Sequence, residues 1–127
     1  MNSAYLDTHV VVWLCENTPG RLSAPALDAI NNYDLLISPV VLIELNFLQQ
    51  IGRIIRNPLD LAKQLRTQLG VKVCDHSFAD MAETALFESW TRDPFDLLIV
   101  SQAKANNYSP LVTQDEKIRK NYPKAVW

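Results

Sequence analysis

Three short apolar runs in this chain end the same way, at a polar residue suited to starting a helix. They are "AYLDT" (Ala4 to Thr8), "DLLISPV" (Asp34 to Val40) and "PLVTQD" (Pro110 to Asp115). Each is too short for a helix and reads as a buried strand ending at a helix cap. "VKVCD" and "KAVW" add two further strand candidates. Short apolar strands alternating with helices imply parallel pairing through crossovers, with helices on both faces of the sheet. The expected fold is α/β: a three-layer α/β/α arrangement around a central, mainly parallel sheet of four or five strands. In such sheets ligands collect at the carboxyl ends of the strands. Residues that follow the strands are therefore the first place to look for chemistry.

The segments between the runs carry helix signals. "HVVVWLCEN" reads as helical by context, although its valines are poor helix formers. "TPGRLSAPALDAINN" contains a turn and then a helix from about Ser23, with Pro25 in its first turn. Ser38 and Pro39 open a helix that runs to about Gln50 and is ended by Gly52. Asn57, Pro58 and Gly70 mark the cap, first turn and stop of the next helix. "SFADMAETALFESW" is helical by spacing, with Ser77 as cap, and "DPFDLLIVSQAKANN" and "QDEKIRKNY" supply two more helices.

A chain of 127 residues is the size of one domain. With three glycines and no low-complexity tract, a single domain over 1–127 is expected. No apolar run approaches the roughly 18 residues a membrane span needs. The opening "MNSAYLDTHVVVWL" has neither a basic n-region nor a small-residue cleavage site, so a cytoplasmic location is expected. Cys15 and Cys74 lack metal-ligand spacing and read as buried reduced thiols. His9 and His76 form no paired motif. They read as packing or surface residues, although His9 lies close behind Asp7.

The net charge of −2 is not the basic footprint of a general nucleic-acid binder. Its distribution alternates. Residues 1–52 hold five acids and one base, and 53–72 hold five bases and one acid. Residues 73–100 hold six acids and one base, and 101–127 hold five bases and two acids. If the acids converge, the basic segments flank them.

Four acids fall near strand ends or helix starts: Asp7, Glu44, Asp96 and Asp115. Each of the three aspartates also has a structural explanation. Asp7 and Asp115 suit N-caps. Asp93 suits a cap with Pro94 at the first helical position, and Asp96 at the third completes a capping-box variant. Glu44 departs from that pattern. It sits in "VVLIELNFL", a helix apolar on all sides and so expected to be largely buried, with no base in residues 39–52. Carboxylates gathered at one edge repel, which raises pKa values until a cation neutralises them. A hard divalent ion does so through oxygen ligands, and the accompanying chemistry is hydrolysis of a phosphodiester.

At these residues the sequence resembles the PIN-domain ribonucleases, specifically the VapC-type toxins of bacterial toxin–antitoxin pairs. "YLDTHVVVW" resembles the family's opening strand with its first acid. "SPVVLIEL" resembles the helix that carries the second. "RDPFDLLIVSQA" is similar to the form "RDPFDRLLIAQA" found in one branch, and "LVTQDEKIRKNY" resembles the last strand with its Thr and the fourth acid. The four segments stand in order across almost the whole chain. The resemblance implies a PIN-like fold and a metal-dependent endoribonuclease, with Mg2+ or Mn2+ held by Asp7, Glu44, Asp96 and Asp115. Asp96, not Asp93, matches the family's third acid, leaving Asp93 as a cap or outer acid. Thr8 and Thr113 match positions where hydroxyls stand near the site. Leu97 departs from the branch, which has Arg there. The resemblance also implies a homodimer, an RNA substrate and a small antitoxin protein that covers the site.

Arg53, Arg56, Lys117 and Arg119 are candidate phosphate contacts. Trp13, Trp90 and Trp127 suit base stacking or a partner interface, with Trp13 expected mainly in the core. A receiver-like phosphoacceptor is disfavoured, because "AYLDTH" has one acid and "PLVTQD" has no Lys. A dehalogenase-type phosphatase wants Asp at position 9, which is His. The remaining rival is a PIN fold without activity, serving as a binding module.

Overall fold

The computed structural model describes residues 2–18 and 20–127. The turn expected around residues 18–20 includes Pro19, which lies outside the described residues. Five strands form one sheet: β1 (Ser3–Leu6), β2 (Asp34–Ile37), β3 (Lys72–Val73), β4 (Leu111–Val112) and β5 (Ala125–Val126). Their order across the sheet is β3-β2-β1-β4-β5, and every pairing is parallel. The expectation of a mainly parallel sheet of four or five strands thus holds at its upper bound. β1 is central, so Ala4, Tyr5 and Leu6 are fully buried. Edge strand β3 keeps Lys72 and Val73 exposed, in keeping with the charged residues that blunt sheet edges.

Seven helices connect and flank the strands: α1 (Thr8–Glu16), α2 (Ala24–Asn32), α3 (Pro39–Gln50), α4 (Pro58–Leu69), α5 (Phe78–Ala85), α6 (Pro94–Ala105) and α7 (Glu116–Asn121). The expected caps are in place. Ser23, Ser38, Asn57 and Ser77 each accept a backbone N–H of the first turn, and prolines follow within the first turn of α2, α3 and α4. Gly70 ends α4 in the left-handed region, at φ 70°. α3 runs to Gln50 with Ile51 as its cap and Gly52 behind it in the left-handed region, as expected. One boundary differs from the sequence reading: α5 stops at Ala85, leaving Leu86 and Phe87 exposed.

Helix α3 also departs from the expected burial. Val40, Val41, Leu45 and Leu48 face the interior, whereas Ile43, Phe47 and Ile51 form an uncovered stripe one turn apart. An all-apolar sequence cannot show which stripe the rest of the chain leaves open. Cys15 and Cys74 are buried and free, as expected. No helix among the described residues is long and apolar enough to cross a membrane.

The topology selects one crevice. The chain moves outward from β1 in one direction through β2 and β3, and in the other through β4 and β5. At such a reversal the connections leave the sheet on opposite sides and open a gap at the carboxyl ends of the two strands. Asp7 follows β1 there and Thr113 follows β4, with the Asp7 N–H bonded to the Val112 carbonyl at 3.0 Å.

Candidate metal centre

A cleft of about 490 Å3 opens at this switch point, and Asp7, Glu44, Asp93, Asp96 and Asp115 all line it. The four acids singled out in the sequence are therefore brought together, each by a different element. Asp7 leaves the end of β1, Glu44 sits in the second turn of α3, Asp96 in the first turn of α6, and Asp115 just before α7. α6 and α7 each lead into a parallel strand, so they run antiparallel to it and start at this same edge.

Asp7 is almost wholly buried, with 6% of its surface exposed. It is not a conventional cap. One carboxylate oxygen accepts from the Thr8 N–H at 2.8 Å, and the other from the Thr113 hydroxyl at 2.6 Å. Burial pushes its pKa up, although the bonds from Thr113 and Thr8 favour the ionised form. The Thr113 hydroxyl in turn accepts from the Asp115 N–H at 3.1 Å, so one threonine ties the first acid to the backbone of the fourth. The Thr8 hydroxyl donates to Glu44 Oε1 at 2.5 Å, tying the first turn of α1 to α3. Both hydroxyls expected near the site are thus direct ligands of its acids. Glu44 thus finds a hydroxyl partner rather than a base, and burial followed by the charge of Asp7 raises its pKa.

The two acids of "RDPFD" divide. Asp93 accepts from the Phe95 N–H at 2.9 Å and the Asp96 N–H at 3.2 Å, the bonding of an N-cap. The reciprocal half of a capping box is missing, because the Asp93 N–H bonds the Thr91 hydroxyl instead. Among the described residues no group donates to the Asp96 carboxylate. Burial, then the charges of Asp93, Asp7, Asp115 and Glu44, push it up to about 7. Asp115 does cap α7, accepting from the Ile118 N–H at 2.9 Å.

Among the described residues no Lys or Arg lies within 4.0 Å of these acids; the ion pair found is Lys104–Glu88, at 2.7 Å. The donor set is all carboxylate oxygen, which suits Mg2+ or Mn2+ rather than a thiophilic metal. The mutual repulsion felt at Asp96 is the kind a cation relieves. As the side chains stand, no three acidic, His or Cys groups among the described residues converge tightly enough to hold one ion. The donor chemistry fits a divalent ion, and closure around it requires the side chains to turn inward.

The candidate phosphate contacts separate. Arg119 lines the acidic cleft. Lys117 is exposed on α7 and lines neither this cleft nor its neighbour. Arg53 and Arg56 flank a different, mainly apolar pocket beside Val12, Cys15 and Leu61, and Arg56 donates to Gln64. Two residues were undervalued by the sequence reading. His9 and Trp13 both line the acidic cleft, and Trp13 is half-buried rather than core. Their i,i+4 spacing directly after Asp7 was the available signal.

A family model of the PIN domain matches residues 4–123. The chain belongs to the PIN-domain family. No curated protein matches it significantly. Among solved structures, this PIN domain is similar to a chain of VapBC2 from Rickettsia felis, crystallised bound to a DNA fragment from its promoter. The TM-score is 0.67 at 22% identity, over 97% of this chain and 95% of that one. At that identity the likeness speaks for the fold of this PIN domain.

Proposed function

We propose that this PIN domain is a metal-dependent endoribonuclease, with Mg2+ or Mn2+ held by Asp7, Glu44, Asp96 and Asp115. The observation that carries the reading is the gathering of these acids in one cleft without a bonded Lys or Arg. When bound, a divalent ion there supplies an activated water and offsets charge on the phosphodiester. The chain's own residues prepare that chemistry. Thr8 and Thr113 hold Asp7 in one orientation, so its carboxylate enters the cleft already aimed. Thr8 also fixes Glu44, placing it to bind the ion or orient the attacking water. Burial and the neighbouring acids push the Asp96 carboxyl up to about 7, which favours its protonated form, and a cation held there would favour its ionised form. Asp93 secures the α6 backbone that aims Asp96, and Arg119 contacts a substrate phosphate.

The biological setting we propose is that of a cytoplasmic toxin of a type II toxin–antitoxin pair, covered by its antitoxin; the resemblance of its motifs to VapC-type toxins supports it, and the neighbour that shares the fold is a chain of VapBC2. A homodimer fits the uncovered stripe of Ile43, Phe47 and Ile51 on α3, extended by Phe95, whose ring lies 6.0 Å from that of Phe47. A PIN-fold binding module without activity is the second reading. It would need no ligand set, and among the described residues no three acids form a ready-made one.

Incubation of the purified protein with single-stranded RNA separates the two. Cleavage is expected in Mg2+ or Mn2+, none in EDTA, and none from Asp7→Asn. Undiminished cleavage in EDTA would sink the metal assignment, and absence of cleavage with either ion would favour the binding module.

A further inference from the structure

The acidic cleft has an aromatic side that the proposed hydrolysis does not use. His9 and Trp13 lie one helical turn apart on α1, and both line the cleft beside Asp7. The opposite side of α1 is anchored in the core by Val10, Val11 and Cys15. Trp13 is partly buried, with part of its large apolar ring left open at a polar cleft. Here it is held by three neighbours. The His9 ring lies 6.1 Å from it, the Trp127 ring 5.9 Å at 57°, and the Arg21 guanidinium 5.2 Å from its centroid. Trp127 adjoins edge strand β5, and Arg21 lies just before α2, so separate parts of the chain converge to fix one indole. His9, in front of this cluster, is exposed.

Resting on the nuclease reading above, we propose that His9, backed by Trp13, is a nucleobase-stacking ledge that seats an unstacked base of the RNA beside the acids. The chemistry is complementary. The carboxylate side takes the charged phosphate through its cation, and the aromatic side takes the flat apolar face of a base. A ring already held in place by its neighbours loses little freedom when the base arrives. Stacking tolerates any base, so the ledge positions the strand rather than reading a single letter. His9 and Trp13 are thus positioning residues. Their loss weakens binding of a base, not of the backbone.

The test is a cycle between protein and base. Affinity is measured by anisotropy of a labelled single-stranded RNA with Ca2+ replacing Mg2+, for the intact RNA and for versions made abasic at each position in turn. In the wild-type protein one abasic position is expected to weaken binding about ten-fold, within the range of single base–aromatic stacks. His9→Ala is expected to lose about ten-fold on intact RNA and to be almost indifferent to that abasic position, whereas His9→Phe restores binding and base dependence. Trp13→Phe is expected to fall between them. If His9→Ala and Trp13→Phe bind intact RNA like the wild type, with the same abasic penalty, the ledge is wrong while metal-dependent cleavage stands. If the wild type neither binds nor cleaves RNA with Mg2+ or Mn2+, the nuclease reading fails and the ledge fails with it.

Discussion

At the scale of single residues, Asp96 carries the clearest electrostatic signature. Its raised pKa means that, between the ordinary carboxylate range and about 7, the folded metal-free protein binds more protons than the unfolded chain. Stability therefore falls as pH rises through that window. The metal-free protein is expected to melt at a higher temperature at pH 5.5 than at pH 7.5, and Asp96→Asn to raise the pH 7.5 melting temperature and flatten the dependence. Thermal melts of both proteins in EDTA check this. Thr113 acts through its neighbour. Thr113→Val keeps the volume but removes the hydroxyl that orients Asp7, so Mn2+ affinity and RNA cleavage are expected to drop roughly ten- to hundred-fold in a folded protein. These residues were unequally legible in the sequence. The division between Asp93 and Asp96 was visible, because Pro94 marks the cap. The hydroxyl–carboxylate bonds were not, since Thr8 meets Glu44 and Thr113 meets Asp7 only after the strands pair.

Among the elements, α3 links stability to the site. Ser38 caps it through the Val40 N–H at 3.2 Å and donates to Gln102 Oε1 of α6 at 3.2 Å. The helices bearing Glu44 and Asp96 are thereby fastened to each other. Ser38→Ala is expected to cost about 1–2 kcal/mol in denaturant unfolding, the usual cost of a lost cap. Strand-then-cap grammar made these elements readable, because Ser, Asn and Pro act locally. Orientation was less readable. Which stripe of α3 stays uncovered depends on how distant helices pack, whereas for His9 and Trp13 the one signal was their spacing after Asp7. Arg53 and Arg56 show the same limit, since their charge was evident but their separation from the acids arises from the loop after α3.

Across the whole molecule, the reversal of strand order at β1 sets the position of the site. Four segments far apart in the chain deliver acids to that crevice, and on the proposed function a bound cation would relieve their repulsion. Mg2+ or Mn2+ is accordingly expected to raise the melting temperature at pH 7.5, and more so than at pH 5.5, where protons compete. The uncovered α3 stripe has a consequence at this scale too. Phe47→Glu is expected to convert a dimer to a monomer in sedimentation velocity. The most direct measurement is Mn2+ binding, by electron paramagnetic resonance at pH 7.5, to the wild type, Asp96→Asn and Asp93→Asn. The convergent site requires at least about ten-fold weaker binding in Asp96→Asn and a much smaller change in Asp93→Asn, where Asn still caps α6. No Mn2+ binding by the wild type, or equal loss in both variants with the fold intact, would contradict it.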